Sequence, residues 1–172
     1  LAAALARAGA DVELATSRFR FGEIPDADGY RRSERFYPAS SRLFRRWRLR
    51  LPLTAVEHLA VMASLARARA DVLHLQWAAL PQADVRRRFR SPSVFTAHDL
   101  LPRRTSSRHD LWRRLLGRFD RVVVHSERGR ETLAELGIDA RVIPHPVYPS
   151  AATRADDGSK LLALGVIRPY KG

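Results

Sequence analysis

The sequence predicts an α/β fold, a parallel sheet with helices on both faces. Two observations carry that reading. Short apolar runs alternate with helical patterns along the 172 residues, at spacings suited to right-handed parallel crossovers. The runs at Val94 to Ala97 and Val122 to Val124 are continuous rather than alternating, as in strands buried on both faces.

Taken in order, LAAALARA at residues 1 to 8 is a run of strong helix formers, with Gly9 where a C-terminal cap is expected. Ala10 to Thr16 reads as a strand. Ser17 to Ser41 carries Gly22, Pro25, Asp26, Asp28, Gly29 and Pro38 without periodicity, and reads as an irregular connection. Leu43, Phe44, Trp47 and Leu51 share a helical face ringed by Arg42, Arg45, Arg46, Arg48 and Arg50. Such a face either packs on a sheet or meets an anionic membrane surface, and packing is the commoner use. Thr54 and Glu57 have capping-box spacing and predict a new helix running to about Arg69. Asp71 to Gln76 then reads as a strand, and Pro81 to Arg90 as a short basic helix.

The central stretch is Ser91 to Arg103, SPSVFTAHDLLPR. Its apolar run stops at His98-Asp99, so it reads as a buried strand emptying into a loop at its carboxyl end. Ligands of open α/β sheets bind outside those ends, which places His98 to meet a substrate. Asp99 either orients His98 or caps the following turn. Beyond it, His109 to Gly117 predicts a helix, Asp120 to His125 a strand, and Ser126 an N-cap for a helix ending at Gly137. Ala140 to Ile143 completes the strands. His74 lies within a strand and reads as a supporting residue, while His125 and Ser126 fall at a strand end and His145 lies between Pro144 and Pro146.

From Pro144 the texture changes. Residues 1–148 read as one domain, 149–159 as a small polar linker, and 160–172 as the first strand and loop of a second domain. Leu1 falls inside a helical pattern and Lys171-Gly172 stops where a loop should enter a helix, so the expectation is a fragment lacking its first strand. Such a piece should be inactive alone.

The formal net charge of +13 comes almost wholly from arginine, Lys160 and Lys171 being the only lysines. That balance attracts anions in general without selecting among nucleic acid, acidic lipid and phosphorylated substrates. The absence of cysteine excludes thiolate metal sites and disulfides. No apolar run is expected to reach membrane-spanning length, because Glu57 and His58 interrupt the longest. The six histidines show no recognisable metal-ligand spacing, so no metal site is expected.

Four segments, DVLHLQW, VFTAHD, RVVVHSE with RVIPHPV, and LGVIRPYKG, together resemble the retaining, nucleotide-sugar-dependent glycosyltransferases of family 4. The resemblance spans nearly the whole chain. It implies a GT-B fold of two Rossmann-like domains facing across a cleft, acceptor on the N-terminal side and donor on the C-terminal side. His98 would then reach the donor sugar. Lys171 would bind the donor diphosphate, with Arg168 as a further cation, since Val166 stands where the family often has Arg. Asp99, His125, Ser126 and His145 would line the cleft or support it, although Pro146 replaces a usual glycine. The resemblance implies no cofactor and no essential metal, the substrate being a nucleoside-diphosphate sugar. It implies a carbohydrate, lipid or small-molecule acceptor and a cytoplasmic enzyme, at most peripheral at the inner membrane face. Two other readings stand beside it. A basic module could bind nucleic acid or anionic lipid, although no nucleic-acid-binding motif is present. A sugar-nucleotide epimerase would share the fold.

Overall fold

A computed structural model describes residues 1–18, 22–43, 47–101 and 107–146. Lys171, Arg168, the linker at 149–159 and the strand expected from residue 160 lie outside the described residues.

The Ala-rich start forms α1 (Ala2–Arg7), and Gly9 turns the chain at a φ of 93° that favours glycine. The chain then enters β1 (Glu13–Ser17). The stretch read as irregular contains a strand, β2 (Arg31–Phe36), parallel to β1. Its sequence RRSERF has no apolar alternation because charges hold the pair together: Arg35 meets Glu13 at 2.6 Å, and the Ser33 hydroxyl donates to Glu13 at 2.8 Å.

The helix expected to start at Thr54 starts earlier. α2 (Trp47–Arg67) runs through Thr54 and carries Pro52 inside it. Glu57 therefore does not close a capping box. Its carboxylate accepts the Ala39 and Ser40 N–H groups at 2.7 and 3.1 Å, capping a 3-10 turn at Ser40–Leu43. Only the three-dimensional neighbour decides between the two roles. The segment Arg48–Arg67 is, by length and composition, apolar enough to cross a membrane, contrary to the expectation from its charges. His58 within it is nevertheless committed to the fold: it donates from Nε2 to Asp84 at 2.8 Å, and accepts at Nδ1 from the Tyr37 hydroxyl at 3.0 Å. His58 and Asp84 are 2% and 5% exposed, so this pair is closed to solvent.

The basic helix read over Pro81 to Arg90 is a single turn, α3 (Pro81–Asp84). Asp84 ends up buried, accepting from His58 and from the Leu80 N–H at 3.3 Å. The remaining elements follow the expected order: β3 (Leu73–Leu75) before α3, then β4 (Ser93–Thr96), α4 (His109–Leu116), β5 (Arg121–Val124), α5 (Glu127–Ala134) and β6 (Ala140–Val142).

β3, β4, β5 and β6 form one parallel sheet in that order. Adjacent strands in space are adjacent in the chain, so all four carboxyl ends open along one edge. The fold is the expected α/β, Rossmann-like arrangement. Phe95, Val122 and Val124 of the sheet are buried against Leu111, Trp112, Leu115 and Leu116 of α4 and Leu133 of α5. At the opposite edge, Asp120 accepts the Ser93 N–H at 2.7 Å and the Ser93 hydroxyl at 2.9 Å. Those bonds, the backbone one foremost, hold the Asp120 carboxyl below its ordinary range.

Candidate active site

β3, β4 and β5 each deliver a polar residue just past the last apolar one, and β6 is followed by His145 two residues beyond Ile143. Pairing continues one step beyond the regular strands: Ala97 N–H donates to the Val123 carbonyl at 2.9 Å, and Ile143 N–H to the Val124 carbonyl at 2.8 Å. Beyond those bonds the chain leaves the sheet, and His98 and His125 project where the ladder ends. His98 is exposed, His125 partly so, and His145 exposed on the segment after β6.

These side chains are joined across the edge. Gln76, just past β3, bonds His74 through its amide nitrogen at 2.9 Å and accepts from His98 Nε2 at 2.7 Å. The Thr96 hydroxyl shares His74 Nε2 at 2.7 Å. His98 Nδ1 stands 3.1 Å from His125 Nε2, and His125 Nδ1 donates to the Ile143 carbonyl at 2.8 Å. His145 stacks on His125 with ring centroids 3.7 Å apart.

Burial pushes the His98 pKa below its usual value, and the neighbouring His125 and His145 push it the same way, while Asp99 opposes them. The ring is therefore neutral near pH 7, able to donate one hydrogen bond and accept another. His74 is shifted down too, by burial first and then by His98.

The structure brings His98, His125 and His145 together and places Asp99 beside them on the exposed loop. The ring nitrogens of His98 face Gln76 and His125, and the Gln76 bond fixes the direction of the ring. Ser126 accepts the Gly129 N–H at 3.1 Å and caps α5. That bond accounts for its identity. Gly129 belongs to the same joint: a Cβ there would meet Leu100 Cδ2 at 3.1 Å, so α5 presses against the loop that follows His98.

Sequence reasoning missed Gln76 as the link between strands. Its signal was its place, one residue past a strand that ends beside that of His98. Trp77, next to it, is 58% exposed and offers an aromatic face at the same edge. A second feature, a cavity of about 620 Å³ beside the start of α4, gathers Arg86, Arg108, Arg114 and Arg118 around His109. These arginines come from three stretches of sequence and had looked like parts of a general positive background.

A family model described as Glycosyltransferase Family 4 matches residues 1–151. No curated protein and no solved structure matches the chain.

Proposed function

The chain belongs to Glycosyltransferase Family 4, and from that premise we propose that it transfers a sugar from a nucleoside-diphosphate sugar to an acceptor with retention of configuration. The observation that carries this reading is His98 at the carboxyl end of β4, held there by its bond to Gln76.

In this reading a sugar hydroxyl takes up bonding capacity of the His98 imidazole, which fixes the donor and stabilises charge developing in an oxocarbenium-like transition state. Gln76 holds the ring in one orientation and itself leans on His74. Trp77 supplies a face against which a sugar ring can pack. Lys171, with Arg168, neutralises the departing diphosphate, which in turn assists the incoming hydroxyl on the same face of the sugar. No protein nucleophile is required. The Arg86, Arg108, Arg114 and Arg118 cavity supports an acceptor that carries negative charge.

The basic first turns of α2 support peripheral contact with an anionic membrane at its cytoplasmic face. Leu49 and Leu51 are 61% and 60% exposed there, beside exposed Arg48. Sedimentation with vesicles containing an anionic lipid tests this: Leu49→Ser/Leu51→Ser should weaken binding, and equal binding by wild type and variant would remove the helix from the contact.

The decisive test of function is product analysis with nucleotide sugars. A glycosylated acceptor plus free nucleoside diphosphate, with the anomeric configuration of the donor kept, is the expected outcome. An isomerised nucleotide sugar would instead identify an epimerase. His98→Ala should lower kcat with the fold intact; unchanged kinetics would remove His98 from the site.

A further inference from the structure

The three clustered histidines hold an arrangement that sugar transfer does not require. We infer that His98, His125 and His145 form a binding site for a divalent metal ion of the zinc class, ligated by three imidazoles with a further position open.

The first support is the assignment of ring protons. The Ile143 carbonyl can only accept, so a single ring proton on His125 sits on Nδ1 and leaves a lone pair on Nε2. Gln76 Oε1 can only accept, so His98 carries its proton on Nε2 and a lone pair on Nδ1. The two bare nitrogens face each other at 3.1 Å. Two lone pairs at that distance repel unless a cation stands between or beside them. The amide of Gln76 matters here: turned over, it would move the His98 proton to Nδ1 and make an ordinary hydrogen bond to His125.

The second support is the outer partners. Metal-bound histidines characteristically donate their other ring N–H to a carbonyl or carboxylate oxygen, which fixes tautomer and direction. His98 and His125 both do so, to Gln76 and Ile143. A third support is spacing. One nitrogen from each of the three rings lies within 4.8 Å of the others. Zinc–nitrogen bonds of roughly 2.0–2.1 Å in a tetrahedron put ligand atoms about 3.3 Å apart, close to the His98–His125 separation. His145 closes the set by turning its ring out of the stack on His125, on a segment whose start is held by the Ile143–Val124 backbone bond. Three neutral imidazoles suit zinc, cobalt, nickel or copper over calcium or magnesium, which demand oxygen ligands.

The site stands independently of the transferase reading; only its consequence rests on that reading. An ion bound through His98 Nδ1 holds that ring away from a sugar hydroxyl, so zinc should inhibit transfer.

The test is titration of the metal-stripped full chain with Co²⁺, followed by its visible ligand-field absorption and displaced by Zn²⁺. One equivalent with a tetrahedral or five-coordinate spectrum is expected. His145→Ala should weaken binding at least tenfold, His125→Ala should abolish the spectrum, and Gln76→Ala should weaken it roughly 10- to 100-fold. Circular dichroism of each variant reports the fold. Should a variant not fold, ¹⁵N imidazole shifts in the wild type give the same answer: Zn²⁺ should move His98 Nδ1 and His125 Nε2 together. Absence of the Co²⁺ spectrum, uptake indifferent to these substitutions, or a His98 proton found on Nδ1 and unmoved by Zn²⁺ would each overturn the site. Loss of zinc inhibition alone, with cobalt binding intact, would count against the transferase role of His98 and not against the metal site.

Discussion

Two histidine clusters in this molecule use the same side chain to opposite ends. His58 is 2% exposed, donates to the Asp84 carboxylate and accepts from the Tyr37 hydroxyl. Every bonding position of its ring is taken, and from α2 it ties α3 to the turn after β2. His98, His125 and His145 lie at an open sheet edge, where His98 is bonded to an amide and His125 to a backbone carbonyl, and the three rings crowd one another. A saturated, buried imidazole holds elements together, whereas an exposed one with an unspent lone pair can take a ligand. Partner chemistry and exposure separate the two roles.

The comparison is broken most severely by opening the closed cluster. Asp84→Ala leaves the His58 donor and the Leu80 N–H without their acceptor, and should cost about 3–5 kcal/mol in urea unfolding. Its effect on turnover per folded molecule should be small. His98→Ala should do the reverse: kcat lower by roughly 10²–10³, of the size seen when a charge-stabilising donor is removed, with the unfolding midpoint nearly unchanged. If both variants lost stability equally, the contrast would fail.

A smaller effect sharpens the boundary between the site and its frame. Ser126 sits beside His125 yet is spent on α5, so Ser126→Ala should cost about 1 kcal/mol of stability and leave the donor KM unchanged. A changed KM would move Ser126 into the site. The smallest effect concerns pH at the far edge of the sheet. Folding lowers the Asp120 pKa, so its contribution is complete above the unfolded value and is lost as pH falls through the folded one. Asp120→Asn should therefore flatten the acid limb of the stability curve below about pH 4, in the range where an unfolded Asp titrates. An unaltered acid limb would show that the Ser93 bonds contribute nothing.

Much of this was legible in the sequence, for physical reasons. The central strands at Ser93 and Arg121 announced themselves because burial on both faces leaves apolar runs with sharp polar ends, and those ends are where His98 and His125 stand. β2 was not legible, because a strand held by Arg35–Glu13 and Ser33–Glu13 contacts has no apolar signature. The Thr54–Glu57 spacing misled because a carboxylate that can cap its own helix can equally cap a neighbouring turn. The histidine cluster was invisible because metal-ligand spacings in sequence describe ligands on one helix or loop. Here the ligands follow strands, and their separation in sequence is the length of a crossover.

The strand order of the larger sheet has a bearing on biosynthesis. Because β3, β4, β5 and β6 lie side by side in the order in which they are made, each emerging strand finds its partner already in place and no pairing waits for a distant segment. Gln76 and His98 can meet before His125 exists, and His145 arrives last. A chain stalled on the ribosome before β6 would carry the paired Gln76 and His98 without the Ile143 carbonyl that sets the His125 tautomer. The polar edge thus matures from one side to the other, and the bond that orients His125 waits for the end of β6.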